Sequence, residues 1–142
     1  MTQETFKHLD YIQSTINRMA GNQFQIKGWS ITIDTAILTI FANSFNRTEG
    51  PNIYFLLIAA FPILLFWMLD AKFLSTERRL RRIYMDVADG VEGIRPFEMP
   101  ISKYAGQGTS VWNCAISFGN ICVYLLPLFG FLAGFACFAV IG

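Results

Sequence analysis

The sequence contains a single histidine, His8, and lacks the motifs on which most enzyme classes depend. With one histidine, no Ser/His/Asp or Cys/His arrangement with catalytic logic can be assembled, and no pair of carboxylates is placed for acid and base work. No Walker loop, no GxGxxG after a strand and no HExxH helix occurs. We therefore expect a protein that is not an enzyme, with no catalytic residue, metal site or cofactor. We interpret His8 as an exposed polar residue.

Cysteine is also scarce. Cys114, Cys122 and Cys137 are odd in number and show no metal-ligand spacing. We interpret them as small packing residues and expect neither a disulfide nor a zinc site. The first 27 residues contain no apolar run followed by a small-residue cleavage site, so we expect no secretory signal peptide and a first apolar segment that is retained as an anchor.

Charged residues make up only 15% of the chain, while apolar residues make up 54%. A soluble domain carries about 25% charged residues, so this balance favours a small membrane protein. Three apolar segments, 28–45, 53–69 and 117–141, approach or exceed the roughly 20 residues that a helix needs to cross a bilayer. The sequence predicts an all-α integral membrane protein with three transmembrane helices.

The basic residues predict the orientation of these segments. Of the 11 Lys and Arg residues, only Arg47 falls in the short loop between the first two segments. The others precede the first segment or lie between the second and third. By the positive-inside rule, the N-terminus is cytoplasmic, the 46–52 loop is outside and the C-terminus ends outside.

An amphipathic helix is predicted before the first span, over residues 5–19. Its apolar positions recur every three or four residues and form one stripe: Phe6, Leu9, Ile12, Ile16 and Met19. Two interpretations stay open. The stripe packs on the protein's own cytoplasmic segments or on lipid headgroups, or it forms a seam between subunits. We expect the stretch 20–26, with Gly21 and Asn22, to interrupt this helix.

The second span shows no break signal where the bilayer should end. One helix of roughly 35 residues is expected to run from the outer surface into the cytoplasm and to end at Gly90, with Pro62 producing a kink. Residues 91–108 resemble a loop that returns the chain to the third span. The predicted parts are a cytoplasmic amphipathic helix (1–27), a transmembrane hairpin (28–75), a cytoplasmic helix extension and linker (76–116) and a third transmembrane helix (117–142).

Two carboxylates are predicted at membrane depth. Asp34 lies inside the first span and Asp70 at the cytoplasmic end of the second, so both could line a pore or vestibule. Alternatively, Asp34 is protonated or neutralised by a neighbour such as Lys72, and Asp70 is an interfacial residue. In the third span, Gly130 and Gly134 form a small-xxx-small face that suits either subunit contact or packing within one chain.

The run ERRLRR, residues 77–82, is the strongest charge signal. It is either a topological anchor on anionic headgroups or a phosphate-binding ring assembled from several subunits. A ring would bring its arginines together with polar residues of the N-terminal helix. The candidate ligands for an anionic signal are Asn17, Arg18, Asn22, Lys27, Arg78, Arg79 and Arg82. The candidate oligomer contacts are Leu9, Ile12, Ile16, Met19, Gly130 and Gly134.

Two stretches, HLDYIQSTINRMAGNQFQIKGWSITI and FWMLDAKFLSTERRLRRIYMDV, resemble a family of small bacterial membrane proteins. The family signature is IxxxIxRMAxNSFxxKGW followed one span later by FWxLDAxxLxxERxxRxLY, and this chain has Gln23 where the pattern often reads Ser. Such proteins are similar to membrane effectors of anti-phage defence loci, including the Hailong type. The positions carried over by motif are Ile16, Arg18, Met19, Asn22, Phe24, Lys27, Gly28, Trp29, Trp67, Asp70, Glu77, Arg78 and Tyr84.

The resemblance implies a multi-pass protein of the bacterial inner membrane, paired with a nucleotidyltransferase that makes an oligonucleotide or cyclic nucleotide signal. It further implies that the signal opens a channel formed by a homo-oligomer, for which we favour a tetramer, and arrests the infected cell. Two other hypotheses stay open. One is a membrane anchor or scaffold that recruits a soluble partner through the amphipathic helix, and the other is a transporter subunit or proton pathway built on Asp34.

Overall fold

The computed structural model describes residues 3–44, 54–91, 93–95, 97–106 and 108–141, and over these residues every regular element is helical. The two long helices are α1 (Gln3–Ser44) and α2 (Tyr54–Ala88). After a 3-10 turn (Ile101–Tyr104) come α3 (Val111–Ala115), α4 (Phe118–Asn120), a π turn (Ile121–Leu125) and α5 (Leu126–Ile141). Within the described residues, two stretches are long and apolar enough to cross a membrane, Ile58–Ala88 and Phe118–Ala136.

Helix α1 runs without interruption for 42 residues, so the predicted break at 20–26 is wrong. A glycine inside a helix costs about 1 kcal/mol relative to alanine, which is why Gly21 suggested an end. That local cost is offset by tertiary bonds nearby. Gln23 donates to Glu77, and Lys27 pairs with Asp70. Packing, not propensity, decides most helix lengths in proteins.

Helix α2 confirms the prediction of a single helix of about 35 residues that ends next to Gly90. Gly90 has φ of +73°, a conformation that favours glycine. The amide of Gly90 donates to the Val87 carbonyl (3.3 Å), and the amide of Val91 donates to the Asp86 carbonyl (2.9 Å). These two bonds form a Schellman motif, which satisfies carbonyls that the helix end would leave without donors. Pro62 lies inside the helix.

The contacts between Cα atoms divide the chain into two units. Unit 1 contains Met1–Phe24 and Ala71–Cys114, and unit 2 contains Gln25–Asp70 and Ala115–Gly142. Both units are built from segments of α1 and α2, since these helices continue from one unit into the other. The division concerns contacts within the protein, and the predicted membrane boundaries at 27, 75 and 116 stay predictions.

Unit 1 has a small apolar core formed by Ile12 and Ile16 of α1 with Leu80 and Ile83 of α2. All four side chains are almost completely buried, and Leu9 is buried as well. Around this core pack partly buried side chains from both helices and from the following linker: Met19, Tyr84, Val87, Ile94, Met99, Ile101 and Tyr104. The stripe Leu9, Ile12, Ile16 and Met19 therefore packs within one chain. The burial of Leu9, Ile12 and Ile16 favours the intramolecular interpretation of the stripe, while Met19 is only partly buried, and the assignment of these residues as oligomer contacts stays a prediction.

The linker 91–108 folds onto this core, although its sequence lacks helical periodicity. His8 is only 3% exposed, so its interpretation as a surface residue is wrong. Its Nε2 atom donates to the Glu98 carbonyl (3.1 Å), and its ring lies 5.9 Å from that of Phe97. At the other end of the linker, the Tyr104 hydroxyl donates to the Asp86 carboxylate, which raises the pKa of Tyr104 to about 12. This stabilisation is present below the ordinary tyrosine pKa of 10.0 and is lost as the pH rises through about 12.

Unit 2 is apolar on much of its outside. Large exposed side chains occur on α2 and on the last helix, including Phe61, Leu64, Met68, Leu126 and Phe129. Contiguous apolar exposure of this kind suits lipid or a protein partner better than water. The last helix differs from the predicted uniform span, because a π turn precedes Pro127. Proline has no amide hydrogen and clashes with the carbonyl four residues earlier, and a π turn is one way in which a helix accommodates the mismatch.

The core of unit 1 predicts the effect of Ile12→Ala. Truncation of this fully buried side chain should lower the free energy of unfolding by about 2–5 kcal/mol, because it leaves a cavity between α1 and α2. Urea denaturation followed by circular dichroism in mild detergent measures the loss. Tyr11→Ala is the matched control, since Tyr11 is 55% exposed on the same turn. A lower particle mass for Ile12→Ala with unchanged stability would contradict the intramolecular core and restore the seam.

Candidate functional site

The arginines of α2 hold the segment that leads to the third apolar helix. Arg78 Nη1 donates to the Gly108 carbonyl and Arg79 Nη2 to the Thr109 carbonyl, each over 3.4 Å. Ser75 also donates to the Thr109 carbonyl, and the Thr109 hydroxyl donates to the Tyr104 carbonyl (2.6 Å). This group of residues, which we call the arginine patch, joins the basic run to the end of the linker.

The backbone of the arginine patch favours glycine at Gly108 because of its conformation. Its φ is +73°, and a Cβ at this position would lie 3.7 Å from Nη2 of Arg82. The sequence analysis grouped Arg78, Arg79 and Arg82 as candidate phosphate ligands, and the structure brings all three to the 108–109 backbone. The roles of Gly108 and Thr109 could not be predicted, because they depend on backbone carbonyls, which leave no signal in a sequence.

The contacts that Arg78 and Arg79 make in the arginine patch are long for hydrogen bonds. A distance of 3.4 Å lies beyond the usual range of 2.7–3.2 Å for an N–H donor and an oxygen. In addition, Arg79 Nε is buried and has no hydrogen-bond partner among the described residues. Phosphate oxygens accept from guanidinium groups more strongly than carbonyl oxygens do. A phosphate-bearing anion could therefore compete for these donors.

Cys114 lies beside the same two arginines. Burial raises the pKa of its thiol, and the positive charges of Arg78 and Arg79 offset part of that rise. The thiol is thus a neutral packing group at neutral pH, as predicted for Cys114, whereas Cys122 is exposed and the prediction fails there.

Arg81 has a different role from its neighbours. Its guanidinium binds Glu77 Oε1 through Nη2 (2.7 Å) and Nε (2.8 Å), and Glu77 Oε2 accepts from the buried Gln23 of α1. Gln23 appeared unimportant in the sequence, since it only replaced the serine of the family pattern. In the structure it connects α1 to α2 within unit 1, so its side chain is a structural link that sequence reasoning missed.

A groove of about 260 Å³ lies between the two helices of unit 1. It is lined by Gln13, Ile16, Arg81, Tyr84 and Met85. Gln13 donates to Asn17 (3.3 Å), which places this candidate ligand on the same exposed part of α1. Arg18 is exposed and Asn22 half-buried on the same helix. Lys27 does not join this group, because it belongs to unit 2 and pairs with Asp70.

Unit 2 contains a group of polar side chains, which we call the carboxylate cluster: Lys27, Ser30, Asp34, Asp70, Asn120 and Tyr124. All are buried except Lys27, whose side chain is 27% exposed. Lys27 forms an ion pair with Asp70, which is fully buried. Ser30 Oγ donates to Asp34 Oδ2 (3.2 Å). Asp34 therefore accepts a hydrogen bond from the preceding turn of α1. The ammonium in this cluster is that of Lys27, whereas the sequence suggested Lys72 as a neighbour that could neutralise Asp34.

The carboxylate cluster is not fully hydrogen-bonded. Asp34 Oδ1, Asp70 Oδ1 and the Tyr124 hydroxyl are buried without a hydrogen-bond partner among the described residues. The Tyr124 hydroxyl nevertheless lies within interaction range of both carboxylates. Asn120 and Tyr124 were not grouped with the two aspartates from sequence, because the π turn that places Tyr124 has no clear sequence pattern. No set of three or more His, Cys, Asp or Glu side chains in the described chain could hold a metal ion.

The ion pair of the carboxylate cluster predicts a large effect for Lys27→Met. This change leaves the buried Asp70 carboxylate without its cation, and breaking a buried pair costs about 3–5 kcal/mol. The control is Arg81→Met, because the pair between Arg81 and Glu77 is more exposed and such pairs contribute about 0–1 kcal/mol. Thermal unfolding in detergent compares the two. Adding Asp70→Asn to Lys27→Met should recover most of the loss, and equal losses for the two single variants would contradict a buried ion pair.

Comparison with protein family models, with curated proteins and with solved structures finds no match to this chain. The resemblance to anti-phage membrane effectors therefore rests on the two sequence stretches alone and stays a prediction.

Proposed function

We propose that this protein is a signal-gated membrane effector. Unit 1 binds an anionic, nucleotide-type signal in the cytoplasm, and the apolar helices open a conducting path through the bacterial inner membrane when several copies assemble. In a defence locus, as the sequence resemblance implies, opening would arrest the infected cell. One observation carries the proposal: α1 and α2 each contribute both to the unit with the arginine patch and to the unit with the carboxylate cluster.

The arginine patch supports the sensor part of this proposal. Its guanidinium groups hold backbone carbonyls at 3.4 Å, so exchanging them for phosphate oxygens replaces weak bonds by charge-assisted ones. The exchange would remove the arginine contacts from the 108–109 backbone, which directly precedes α3 and is also held by Ser75. A ligand shifts a conformational equilibrium only through a difference in affinity between the two states. The state that keeps the carbonyl contacts and the state that has lost them would differ in their affinity for the anion.

Helix α1 supports the proposal of a third transmembrane span, over 28–45. Its polar side chains lower its hydropathy, but the hydroxyls of Thr32, Thr35 and Thr39 donate to carbonyls one turn earlier at 2.7–2.8 Å. Hydroxyls satisfied in this way tolerate lipid. With α1, α2 and the last helix as spans, the distribution of basic residues favours a cytoplasmic N-terminus and a C-terminus outside.

Oligomerisation follows from the requirement for a pore, since three helices cannot enclose an aqueous channel. The face with Gly130 and Gly134 is exposed in one chain, and a Cβ at Gly130 would meet no atom within 4 Å. Such a face allows a second helix to approach closely. It supports a homo-oligomer, for which we favour a tetramer. The scaffold alternative has less support, because Leu9, Ile12 and Ile16 of the apolar stripe are buried in unit 1.

Thiol labelling tests the orientation. In a variant without the native cysteines, Thr48→Cys should react with a membrane-impermeant reagent in intact cells, and Ser102→Cys should not. Thr48 lies outside the described residues and Ser102 is exposed in the linker. Permeabilised cells, in which both should react, are the control. Reversed labelling would place the arginine patch outside the cell and contradict a cytoplasmic sensor.

Arginine-to-lysine substitution tests signal binding. The triple variant Arg78→Lys, Arg79→Lys and Arg82→Lys keeps the positive charge that sets topology but loses the planar donors. Each lost charge-assisted bond is worth about 1.5–3 kcal/mol, which corresponds to about tenfold or more in affinity. Membrane depolarisation on induction with the signal-producing neighbour should therefore be abolished.

Two measurements keep this experiment interpretable. Arg95→Lys is the matched control, because Arg95 is exposed and lies outside the arginine patch. Equal membrane abundance and equal thermal midpoints of parent and triple variant separate loss of binding from loss of folding. Full depolarisation by the triple variant under these conditions would contradict the arginine sensor and leave the basic run as a topological anchor.

A further inference from the structure

Four polar side chains of α2 lie on one stripe of the helix. Ser75, Arg79, Arg82 and Asp86 follow one another at spacings of four, three and four residues. An α-helix has about 3.6 residues per turn, so this spacing places all four on the same side of α2 over about three turns. The two arginines of the stripe thus lie between a hydroxyl at one end and a carboxylate at the other.

Both ends of the stripe hold the same segment of the linker, residues 104–109. The Tyr104 hydroxyl donates to the Asp86 carboxylate, and the Ser75 hydroxyl donates to the Thr109 carbonyl. Ser75 is 2% exposed and Thr109 is 1% exposed, so the second bond is shielded from water. We call these two bonds the clasp. All of these residues belong to unit 1.

The clasp holds the backbone of the segment against the two arginines. Arg79 Nη2 donates to the Thr109 carbonyl over 3.4 Å, and a Cβ at Gly108 would lie 3.7 Å from Nη2 of Arg82. A carbonyl oxygen has two lone pairs, and Ser75 makes the closer of the two contacts with that of Thr109. The segment therefore occupies arginine donors, although its strongest attachment to α2 at this end comes from the serine.

Two hydrogen bonds lie within the segment itself. The Thr109 hydroxyl donates to the Tyr104 carbonyl (2.6 Å), and the Gly108 amide donates to the Gly106 carbonyl (3.0 Å). Neither bond involves α2, so opening the clasp does not break them. Only the clasp and the long arginine contacts have to be lost for these residues to leave the stripe.

We propose that the clasp is an autoinhibitory contact. Ser75 and Asp86 hold the 104–109 segment on Arg79 and Arg82, and a phosphate-bearing anion reaches these arginines fully only after it displaces the segment. The apparent affinity of a site is reduced by the fraction of molecules in which the site is open. The closed clasp therefore sets the anion concentration that the sensor requires. This inference rests on the proposed function and specifies how its sensor is regulated.

Equilibrium binding of inorganic tripolyphosphate to the purified full-length protein in detergent tests the clasp. Ser75→Ala removes one bond of the closed state and leaves every arginine in place. The anion should therefore bind about two- to tenfold more tightly than to the parent, which is the range that one neutral hydrogen bond represents. Ser75→Thr keeps a hydroxyl and should restore the parent affinity. Tyr104→Phe removes the other bond of the clasp and should also tighten binding.

Thr76→Ala is the matched control for Ser75→Ala. The Thr76 hydroxyl donates to the Lys72 carbonyl of its own helix (3.0 Å), so its removal should leave the affinity unchanged. The direction of the effect separates a clasp from a merely structural bond, because loss of a structural bond weakens binding or leaves it unchanged. Parent-like or weaker binding by both Ser75→Ala and Tyr104→Phe would overturn the proposal, as would the absence of tripolyphosphate binding in every variant.

The triple lysine variant of the arginine patch locates the binding site. Combined with Ser75→Ala, it should abolish the gain in affinity, because the gain depends on the guanidinium donors that the open clasp exposes. A gain that persists in the combined variant would place the anion elsewhere and contradict the clasp.

Tryptic cleavage after Lys103 measures displacement of the segment directly. Lys103 is exposed and immediately precedes Tyr104. Tripolyphosphate should accelerate this cleavage in the parent, and Ser75→Ala should be cleaved faster even without the anion, whereas Thr76→Ala should be cleaved like the parent. A cleavage rate that saturating tripolyphosphate leaves unchanged would mean that the anion binds without moving the segment, and the proposal would be wrong.

These measurements are separate from the tests of signalling, since they need neither the nucleotide-type signal nor an oligomeric pore. Parent-like tripolyphosphate affinity in both clasp variants, with intact signal-dependent depolarisation, would refute the clasp alone. Tighter binding and faster cleavage of Ser75→Ala, in a protein that never depolarises membranes, would refute the proposed function alone.

Discussion

The ion pair between Lys27 and Asp70 is the interaction on which the apolar unit depends. Asp70 is completely buried, and a buried carboxylate costs several kcal/mol unless a cation compensates it. Lys27 supplies that cation from α1. Within unit 2 the pair therefore joins α1 to α2.

A second set of polar bonds has the equivalent role in unit 1. Glu77 accepts from Gln23 of α1 and from Arg81 of its own helix, so the two long helices are connected next to the Ile12 and Leu80 core. The linker completes this unit through His8 and Tyr104. The apolar side chains of the linker cover a core that two helices alone would leave open to water. These contacts fix the position of a segment whose regular structure is a short 3-10 turn.

Some of this fold was predictable from the sequence, and the remainder depends on contacts between distant residues. The length of α2 follows from a continuous apolar and then amphipathic run, and its end follows from Gly90. The bond between Ser30 and Asp34 was also accessible, since the two residues are four apart on a helix. The burial of His8 was not, because its partner is the Glu98 carbonyl, 90 residues away. Backbone acceptors have no residue type, so the contacts of Arg78 and Arg79 with the 108–109 carbonyls could not be predicted either.

The two candidate sites differ in what they leave unsatisfied. The arginine patch has a spare donor, Arg79 Nε, and long bonds to carbonyls, so it favours an added anion. The carboxylate cluster has two carboxylates and one ammonium, and Asp34 Oδ1 and Asp70 Oδ1 lack a hydrogen-bond partner among the described residues. A charge that is left uncompensated among apolar side chains is costly. The proposed function requires both properties, because a sensor must accept an anion and a conducting path must lower the cost of a charge in the bilayer.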